Sequence, residues 1–275
     1  MKIFIVGLGL IGASYAAKLS EKHEVHGFDI NQLTLQKALD KKIIVSASLE
    51  AITKSEVVIL ALYPKDIIQF LKDHLALFND RQIITDVSGT KQNLIDAIAT
   101  ILPKTFTYIS HHPMAGKELG GFDQHDKDLF KNASAIIIDE SHHEEAIKKL
   151  TVVLNDLAFK TIVKTTKTVH DARIAFTSQL PHALAIALMH MTPSDDILSY
   201  AGNSFKDLTR IASINKMLWS SLFMENKTAL THELDHMIEH LNYIKNLINT
   251  NNQDGLKAYM QKAKERRDRY EKDSN

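Results

Sequence analysis

A glycine-rich turn near the N-terminus constrains the fold more than any other feature. Residues 7–12 read Gly-Leu-Gly-Leu-Ile-Gly, directly after the apolar run Lys2–Val6 and at the start of the amphipathic segment Ile11–Lys22. A strand, a G-x-G-x-x-G turn and a helix in this order form the phosphate-binding unit of dinucleotide-binding domains, whereas an isolated glycine turn lacks that context. The sequence therefore predicts a nucleotide site at this turn. The expected cofactor contacts here are Gly7, Leu8, Gly9, Leu10, Ile11 and Gly12.

The rest of the first half alternates short apolar runs with amphipathic segments. The runs are Lys2–Val6, Glu24–Phe28, Val57–Ala61, Gln82–Thr85, Thr107–Ser110, Ala135–Ile138 and Lys160–Val163. The amphipathic segments between them include Ile11–Lys22, Gln32–Lys41, Asp66–Leu77 and Gln92–Leu102. Continuous apolar strands that alternate with helices are typical of a parallel sheet covered on both faces. We therefore predict an α/β Rossmann-type domain, with a doubly wound and mostly parallel sheet, over residues 1–165.

The second half changes to helical spacing throughout. The predicted helices are Ala172–Met191, Ile197–Ala212, Lys216–Asn249 and Gly255–Tyr270. Long helices with broad apolar stripes need a surface to cover them, and a second copy of the chain can supply it. We predict an all-α domain over residues 166–275 that binds substrate and forms a homodimer.

Composition excludes several classes of function. Lys plus Arg and Asp plus Glu both number 33, so no overall charge favours nucleic acid or an acidic membrane. The absence of cysteine excludes thiolate metal sites and a catalytic thiol, and it fits a reducing compartment. The apolar N-terminus is too short for a membrane span and is interrupted by glycine. We expect a cytoplasmic protein without a metal site.

Asp29 ends the second predicted strand and bears on the choice of cofactor. A carboxylate at this place accepts hydrogen bonds from the adenosine ribose hydroxyls and repels a 2′-phosphate. No arginine follows directly, because the next residues are Ile30, Asn31 and Gln32. The sequence therefore favours NAD over NADP. In the alternative interpretation Asp29 only caps the next helix, which leaves the cofactor open.

Polar segments follow the predicted strands at the sheet edge where ligands bind in such domains. They are Leu62–Lys65, Asp86–Lys91 and His111–Glu118. A histidine at the end of a strand can accept a proton from an alcohol that loses a hydride to a nicotinamide. The residues alone do not distinguish His111 from His112, and either one can instead be a structural histidine bonded to the loop.

Five ordered motifs resemble the prephenate dehydrogenase family of tyrosine biosynthesis. Besides the glycine turn they are His112-Pro-Met-Ala-Gly-Lys-Glu118, His170-Asp171, Ser178-Gln-Leu-Pro-His182 and Phe205-Lys-Asp-Leu-Thr-Arg-Ile-Ala212. The resemblance implies NAD-dependent oxidative decarboxylation of prephenate to 4-hydroxyphenylpyruvate, carbon dioxide and NADH. From the length of the chain we expect a single-function form, without a regulatory or chorismate mutase domain.

The resemblance also implies roles for individual residues. His112 would bind the ring hydroxyl as it becomes carbonyl-like. Ser88 is the candidate for the serine that lies near that hydroxyl and the nicotinamide in the family, and Leu62 is a further expected cofactor contact. The implied substrate contacts are Arg210 for a carboxylate, His182 and Gln179 for the side-chain end, and Glu118 at the entrance. Lys206, one helical turn before Arg210, is a weaker candidate for the second carboxylate because of its spacing. Outside this context, Arg210 fits a surface ion pair, His182 a helix N-terminus and Glu118 a solvated loop.

The sequence departs from the family pattern at two positions. The serine that the family places three residues after the aspartate is replaced by Gly89, and serine stands one place earlier as Ser88. Either the loop turns Ser88 toward the hydroxyl and the nicotinamide, or that contact is lost. Many relatives carry histidine where this chain has Gln179. Two other functions stay open. One is arogenate dehydrogenase, whose substrate carries an amine, and the other is an inactive NAD-sensing regulator, which would need neither His112 nor Arg210.

Overall fold

The computed structural model describes residues 1–117, 119–140, 143–192 and 194–274. The chain divides into two compact units, Met1–Lys227 and Thr228–Asn275. The first unit contains both β-sheets and most of the helices. No helix in the described part of the chain is long and apolar enough to cross a membrane.

A five-stranded parallel sheet forms the centre of the first unit. Its strands are β1 Lys2–Val6, β2 Glu24–Phe28, β3 Val57–Leu60, β4 Ile83–Asp86 and β5 Thr107–Tyr108, in the order β2-β1-β3-β4-β5. Each agrees with a predicted run to within two residues. The order reverses between β1 and β3, and in open parallel sheets ligands bind beyond the strand ends at this point. The glycine turn follows β1 directly.

Helices cover both faces of this sheet, as predicted for a doubly wound domain. They are α1 Leu10–Leu19, α2 Gln32–Asp40, α3 Pro64–His74 and α4 Gln92–Ala99. Successive residues of β1 enter opposite cores, because side chains alternate along a strand. Ile3 and Ile5 pack with α1, and Phe4 and Val6 pack with α3 and α4. The continuous apolar strands of the sequence are thus explained by burial on two faces.

A second sheet of three strands follows in the chain. Its strands are β6 His111–Pro113, β7 Ser134–Ile138 and β8 Thr161–Thr165, in the order β6-β7-β8, and helix α5 Glu144–Asp156 joins the last two. Strand β6 pairs antiparallel with β7, and β7 pairs parallel with β8. The sequence predicts one strand over Thr107–Ser110 and none directly after it. That prediction is wrong at its end, because β5 stops at Tyr108 and the chain crosses to β6, which is too short to show a pattern.

The elements that follow β8 are helical. They are α6 Lys167–Ile174, a π-turn Ala175–Gln179, α7 Leu180–His190, a 3₁₀ turn Asp195–Tyr200, α8 Asn203–Arg210, α9 Lys216–Glu225, α10 Lys227–Asn249 and α11 Gln253–Ser274. Three of the four predicted helices are interrupted. The predicted helix Ile197–Ala212 is a 3₁₀ turn followed by α8, with a break at residues 201–202. Pro181 has no N–H to donate, which accounts for the π-turn before it. The predicted helix Lys216–Asn249 breaks at Asn226, whose buried side chain donates hydrogen bonds to the Asp171 carbonyl oxygen and the Gln179 side chain.

Candidate active site

The glycine turn is shaped by close backbone packing at its ends and by open space in its middle. Gly7 has φ +87°, and a Cβ on it would lie 2.5 Å from the carbonyl oxygen of Ala61. A Cβ on Gly12 would lie 1.9 Å from the carbonyl oxygen of Gly7, whereas one on Gly9 meets nothing within 4 Å. Helix α1 begins at Leu10, so its unpaired N-terminal N–H groups face this space. The turn therefore fits a pyrophosphate, which such N–H groups bind.

Asp29 is hydrogen-bonded to the glycine turn. Its half-buried carboxylate accepts the backbone N–H of Leu8 at 2.8 Å and that of Asn31 at 2.9 Å. The N-cap of α2 is Asn31, whose side chain accepts the N–H groups of Leu33 and Thr34. Asp29 is therefore not the helix cap, and its carboxylate lies beside the turn, where a ribose can reach it.

A buried ion pair supports the loop after β4. The Lys91 ammonium donates to the Asp86 carboxylate at 2.9 Å and to the carbonyl oxygen of His111 at 2.7 Å, and both side chains are fully buried. Tyr108 donates to the other Asp86 oxygen at 2.6 Å. Burial alone would raise the pKa of Asp86, but the Lys91 charge and the hydrogen bonds that the carboxylate accepts together outweigh burial and lower that pKa. The pair therefore joins β4, α4 and β6 as a charged, hydrogen-bonded cluster.

The structure separates the roles of the two adjacent histidines. The His111 ring is fully buried, with Tyr15 Oη 2.9 Å from Nε2 and Thr85 Oγ1 2.7 Å from Nδ1. Burial, with a smaller contribution from Lys91, lowers the pKa of His111 to about 3. Both nitrogens have partners inside the protein and the ring stays neutral, so His111 is structural. His112, on the opposite side of β6, is half-buried.

His112 is the first member of a line of three side chains. Its Nδ1 lies 2.9 Å from His170 Nε2, and His170 Nδ1 lies 2.7 Å from an Asp171 oxygen. The Asp171 carboxylate also accepts the backbone N–H groups of Lys91 and Gln92, where α4 begins. Burial, with the nearby His170 and Lys91, holds the pKa of His112 well below its usual value. His112 is therefore a neutral imidazole that can accept a proton. The sequence singled out His170-Asp171 as a motif but gave neither residue a role.

The other ring nitrogen of His112 faces Gly89. A Cβ on Gly89 would lie 3.7 Å from His112 Nε2 and 3.2 Å from Leu222 Cδ2. The position at which the family pattern has serine thus lies beside the candidate base. Ser88 has a buried hydroxyl without a hydrogen-bond partner among the described residues, and its N–H donates to Asp86. An unpaired hydroxyl in this loop fits a polar group of a bound nicotinamide or substrate.

Gln179 is part of the protein interior. It is 1% exposed, its amide nitrogen donates to the carbonyl oxygen of Leu222 at 3.0 Å, and its oxygen accepts Asn226 Nδ2 at 2.8 Å. Asn226 also donates to the carbonyl oxygen of Asp171 at 2.8 Å. Gln179 thereby joins α9 to the line that ends at His112. Its contact with substrate stays a prediction.

The remaining implied substrate residues lie on neighbouring helices. His182 donates from Nδ1 to the carbonyl oxygen of Ser178 at 2.8 Å and stacks on Trp219 at a centroid distance of 3.7 Å, so Nε2 is the nitrogen left for a ligand. Trp219 was not predicted from the sequence, because an aromatic residue on a helix gives no signal of such a stack. Arg210 and Lys206 are exposed on α8, which packs against α7.

Two further implied contacts are Leu62 and Glu118. Leu62 lies against the glycine turn, since a Cβ on Gly7 would be 2.7 Å from Leu62 Cδ2, and its contact with a cofactor stays a prediction. Glu118 lies outside the described residues. The meeting of His112 and Arg210 at one cleft stays a prediction.

Helix α10 carries one motif that resembles a metal site. Residues 232–236 read His-Glu-Leu-Asp-His, and the rings of His232 and His236 have centroids 4.1 Å apart. This is the spacing of a zinc-binding helix. The described residues provide no group of three His, Asp or Glu side chains that could hold a metal ion.

Comparisons with known proteins cover almost the whole chain. One family model, described as the nucleotide-binding domain of prephenate dehydrogenase, matches residues 13–163, and a second, described as its dimerization domain, matches residues 166–262. The chain is 27% identical to the prephenate dehydrogenase of Bacillus subtilis, over 97% of this chain and 75% of that protein.

Two solved structures are similar over nearly their full lengths. One is the prephenate dehydrogenase from A. aeolicus in complex with hydroxyphenyl propionate and NAD+, with a TM-score of 0.88 and 28% identity over 98% of each chain. The other is Synechocystis arogenate dehydrogenase, with a TM-score of 0.86 and 28% identity over 98% of this chain and 100% of the other.

Proposed function

The chain belongs to the prephenate dehydrogenase family, and from this premise we propose that it oxidises prephenate with NAD to 4-hydroxyphenylpyruvate, carbon dioxide and NADH. The observation that carries the proposal is the state of His112. Its Nδ1 is held by His170, its pKa is lowered, and its Nε2 lies beside Gly89, which has no side chain to cover it. A neutral imidazole held in this way can accept the proton of an alcohol. A regulator that only senses NAD would need no such base.

The cofactor-holding residues are those of the glycine turn, Gly7–Gly12, with Asp29, Leu62 and Ser88. The open space at Gly9 and the buried, unpaired hydroxyl of Ser88 support this assignment. When bound, NAD supplies the hydride acceptor. The protein supplies the site that orients the two reactants and excludes water between them.

The protein's own chemical task is modest, because loss of the ring carboxylate makes the product ring aromatic and drives the reaction. His112 accepts the proton of the ring hydroxyl at Nε2. Arg210 binds a substrate carboxylate, since a guanidinium makes two parallel hydrogen bonds to such a group. His182 contacts the side-chain end of the substrate through Nε2. Lys206, Gln179 and Glu118 are further substrate contacts in this proposal.

Arogenate dehydrogenase is the second candidate function. The similarity to Synechocystis arogenate dehydrogenase, at the same identity as that to the A. aeolicus enzyme, favours testing it. The side chain of arogenate carries an amine where that of prephenate carries a keto group. In this proposal His182, which stacks on Trp219, contacts the side-chain end of the substrate, where the amine and keto groups differ.

We further propose that the boundary between the nucleotide-binding and helical domains lies near residue 165, that two copies associate through the helical domain, and that the protein works in the cytoplasm. The boundary and the dimer are supported by the two family matches, which meet between residues 163 and 166 and of which the second is described as a dimerization domain. The location rests on the absence of cysteine alone.

A four-way assay tests the function. Purified protein is offered prephenate or arogenate, each with NAD or NADP, and reduced cofactor is followed by its absorbance. We expect the highest kcat/KM with prephenate and NAD. Faster turnover of arogenate would select the second candidate. No turnover with any pair would contradict both.

A further inference from the structure

Two histidines and an aspartate from β6 and α6 form a continuous hydrogen-bonded line that ends at the proposed base. His170 is 1% exposed and Asp171 is 5% exposed, so the line is shielded from water up to His112. Burial of this kind makes hydrogen-bond direction fixed, because water cannot replace a missing partner. A role for these residues in the reaction rests on the proposed function, since they act through its base.

The direction of each hydrogen bond can be assigned from the Asp171 end. An ionised carboxylate only accepts hydrogen bonds, and this one already accepts the N–H groups of Lys91 and Gln92. His170 Nδ1 must therefore carry a proton and donate to Asp171. In a neutral His170 the Nε2 atom then has only a lone pair. His112 Nδ1 must in turn carry a proton and donate to His170.

This assignment leaves the lone pair of His112 at Nε2, the nitrogen beside Gly89. We propose that His170 and Asp171 are positioning residues that fix this tautomer of His112, and that His170 then accepts the Nδ1 proton when Nε2 takes one from the substrate hydroxyl. The O–H bond of the substrate breaks and an N–H bond forms at His112 Nε2. The N–H bond at His112 Nδ1 breaks and one forms at His170 Nε2. His112 stays neutral, and the positive charge moves to His170.

The surrounding charges favour the second transfer. Burial, His170, Lys91 and His111 all disfavour a positive charge on His112. Burial and Lys91 also lower the pKa of His170, but Asp171 by direct hydrogen bond and Asp86 at longer range oppose that lowering. His112 has no carboxylate partner among the described residues, whereas His170 has one. The positive charge that comes with a proton from the substrate is therefore more stable on His170 than on His112.

Substitutions of His170 separate positioning from proton acceptance. His170→Gln keeps an oxygen that can accept from His112 Nδ1 but cannot take up a proton, whereas His170→Ala keeps neither property. In His170→Ala we expect kcat to fall about tenfold to a hundredfold with little change in KM, as for other residues that orient a reactive histidine. His170→Gln should recover part of that loss. His190→Ala, at the exposed end of α7, is the control and should keep normal kcat.

Nitrogen NMR of labelled histidine reads the tautomer without any turnover. In the wild type we expect a protonated Nδ1 and an unprotonated Nε2 on His112, identified by loss of the signal in His112→Asn. His170→Gln should preserve this pattern, and His170→Ala should show a mixture of tautomers. Protonated Nε2 in the wild type, or unchanged tautomer and kcat in His170→Ala, would overturn the inference. Wild type with the expected tautomer but no turnover of prephenate would contradict the proposed function and leave the positioning role standing.

Discussion

The carbonyl oxygen of Gly7 occupies the space in which a side chain on Gly12 would begin, at 1.9 Å from the position of its Cβ. The turn and the first turn of α1 are therefore in direct backbone contact. Gly9, between them, has open space where a Cβ would be. Gly7 and Gly12 thus permit close backbone packing, whereas Gly9 leaves space for a ligand, and substitutions can test the two roles separately.

We expect Gly12→Ala to destabilise the fold and Gly9→Ala to spare it. Gly12→Ala creates a backbone clash and should lower the free energy of unfolding by more than about 3 kcal/mol. Gly9 has φ −71°, which alanine adopts freely, so Gly9→Ala should change the free energy of unfolding by less than about 1 kcal/mol. In Gly9→Ala the methyl group instead occupies the pyrophosphate space, so NAD binding should weaken at least about tenfold. Denaturant unfolding and NAD titration measure the two effects. Normal NAD affinity in Gly9→Ala would place the cofactor elsewhere.

Asp29 should set the preference for NAD. We expect Asp29→Asn to lower the ratio of kcat/KM for NAD to that for NADP by roughly tenfold, about 1.4 kcal/mol, because the repulsion of a 2′-phosphate is lost. The amide can still accept from Leu8, so the turn should stay folded. Asp40→Asn, at the last residue of α2, is the matched control. If Asp29→Asn leaves the ratio of kcat/KM for NAD to that for NADP unchanged, Asp29 does not set the cofactor preference.

Arg210 should act on substrate binding. We expect Arg210→Ala to raise KM for prephenate strongly while the dissociation constant of NAD stays the same, because a substrate carboxylate loses its partner. Arg210→Lys should restore only part of the loss, since an ammonium cannot make the two-pronged contact. Steady-state kinetics with prephenate varied measures this. An unchanged KM in Arg210→Ala would place the carboxylate at another residue.

His111 should make stability fall in acid. Its pKa is about 3 in the folded protein and about 6.5 in the unfolded chain, so below about pH 6.5 the unfolded chain binds the proton first. This group therefore costs nothing near neutral pH and removes about 2 kcal/mol of unfolding free energy between about pH 7 and about pH 5. His111→Asn should lower overall stability but shrink the difference between the two pH values by that amount. Urea unfolding at both pH values measures it. An equal pH difference in the variant would mean that His111 does not titrate in this way.

The sequence was sufficient for those parts of the fold that depend on local pattern. The five parallel strands and the helices between them followed from apolar runs and amphipathic spacing, because burial on two faces leaves a clear pattern. The glycine turn and Asp29 followed from a motif whose geometry is mostly local. The break at Asn226 could not be predicted, because it depends on side-chain hydrogen bonds to Gln179 and Asp171.

The same distinction applies to the candidate site. Neighbouring residues such as His111 and His112 have identical local signals, and only strand β6, which turns them to opposite sides, separates the buried ring from the accessible one. The line from His112 through His170 to Asp171 joins residues 58 positions apart. Such a contact is a product of tertiary packing and leaves no trace in hydrophobic periodicity.

The most direct test of the account is kcat for prephenate oxidation by NAD in wild type and in His112→Asn. If His112 accepts the proton of the ring hydroxyl, kcat should fall by roughly a hundredfold to ten-thousandfold, with little change in the affinity for substrate. A variant that keeps a kcat near that of the wild type would show that the proton goes elsewhere and would contradict the account.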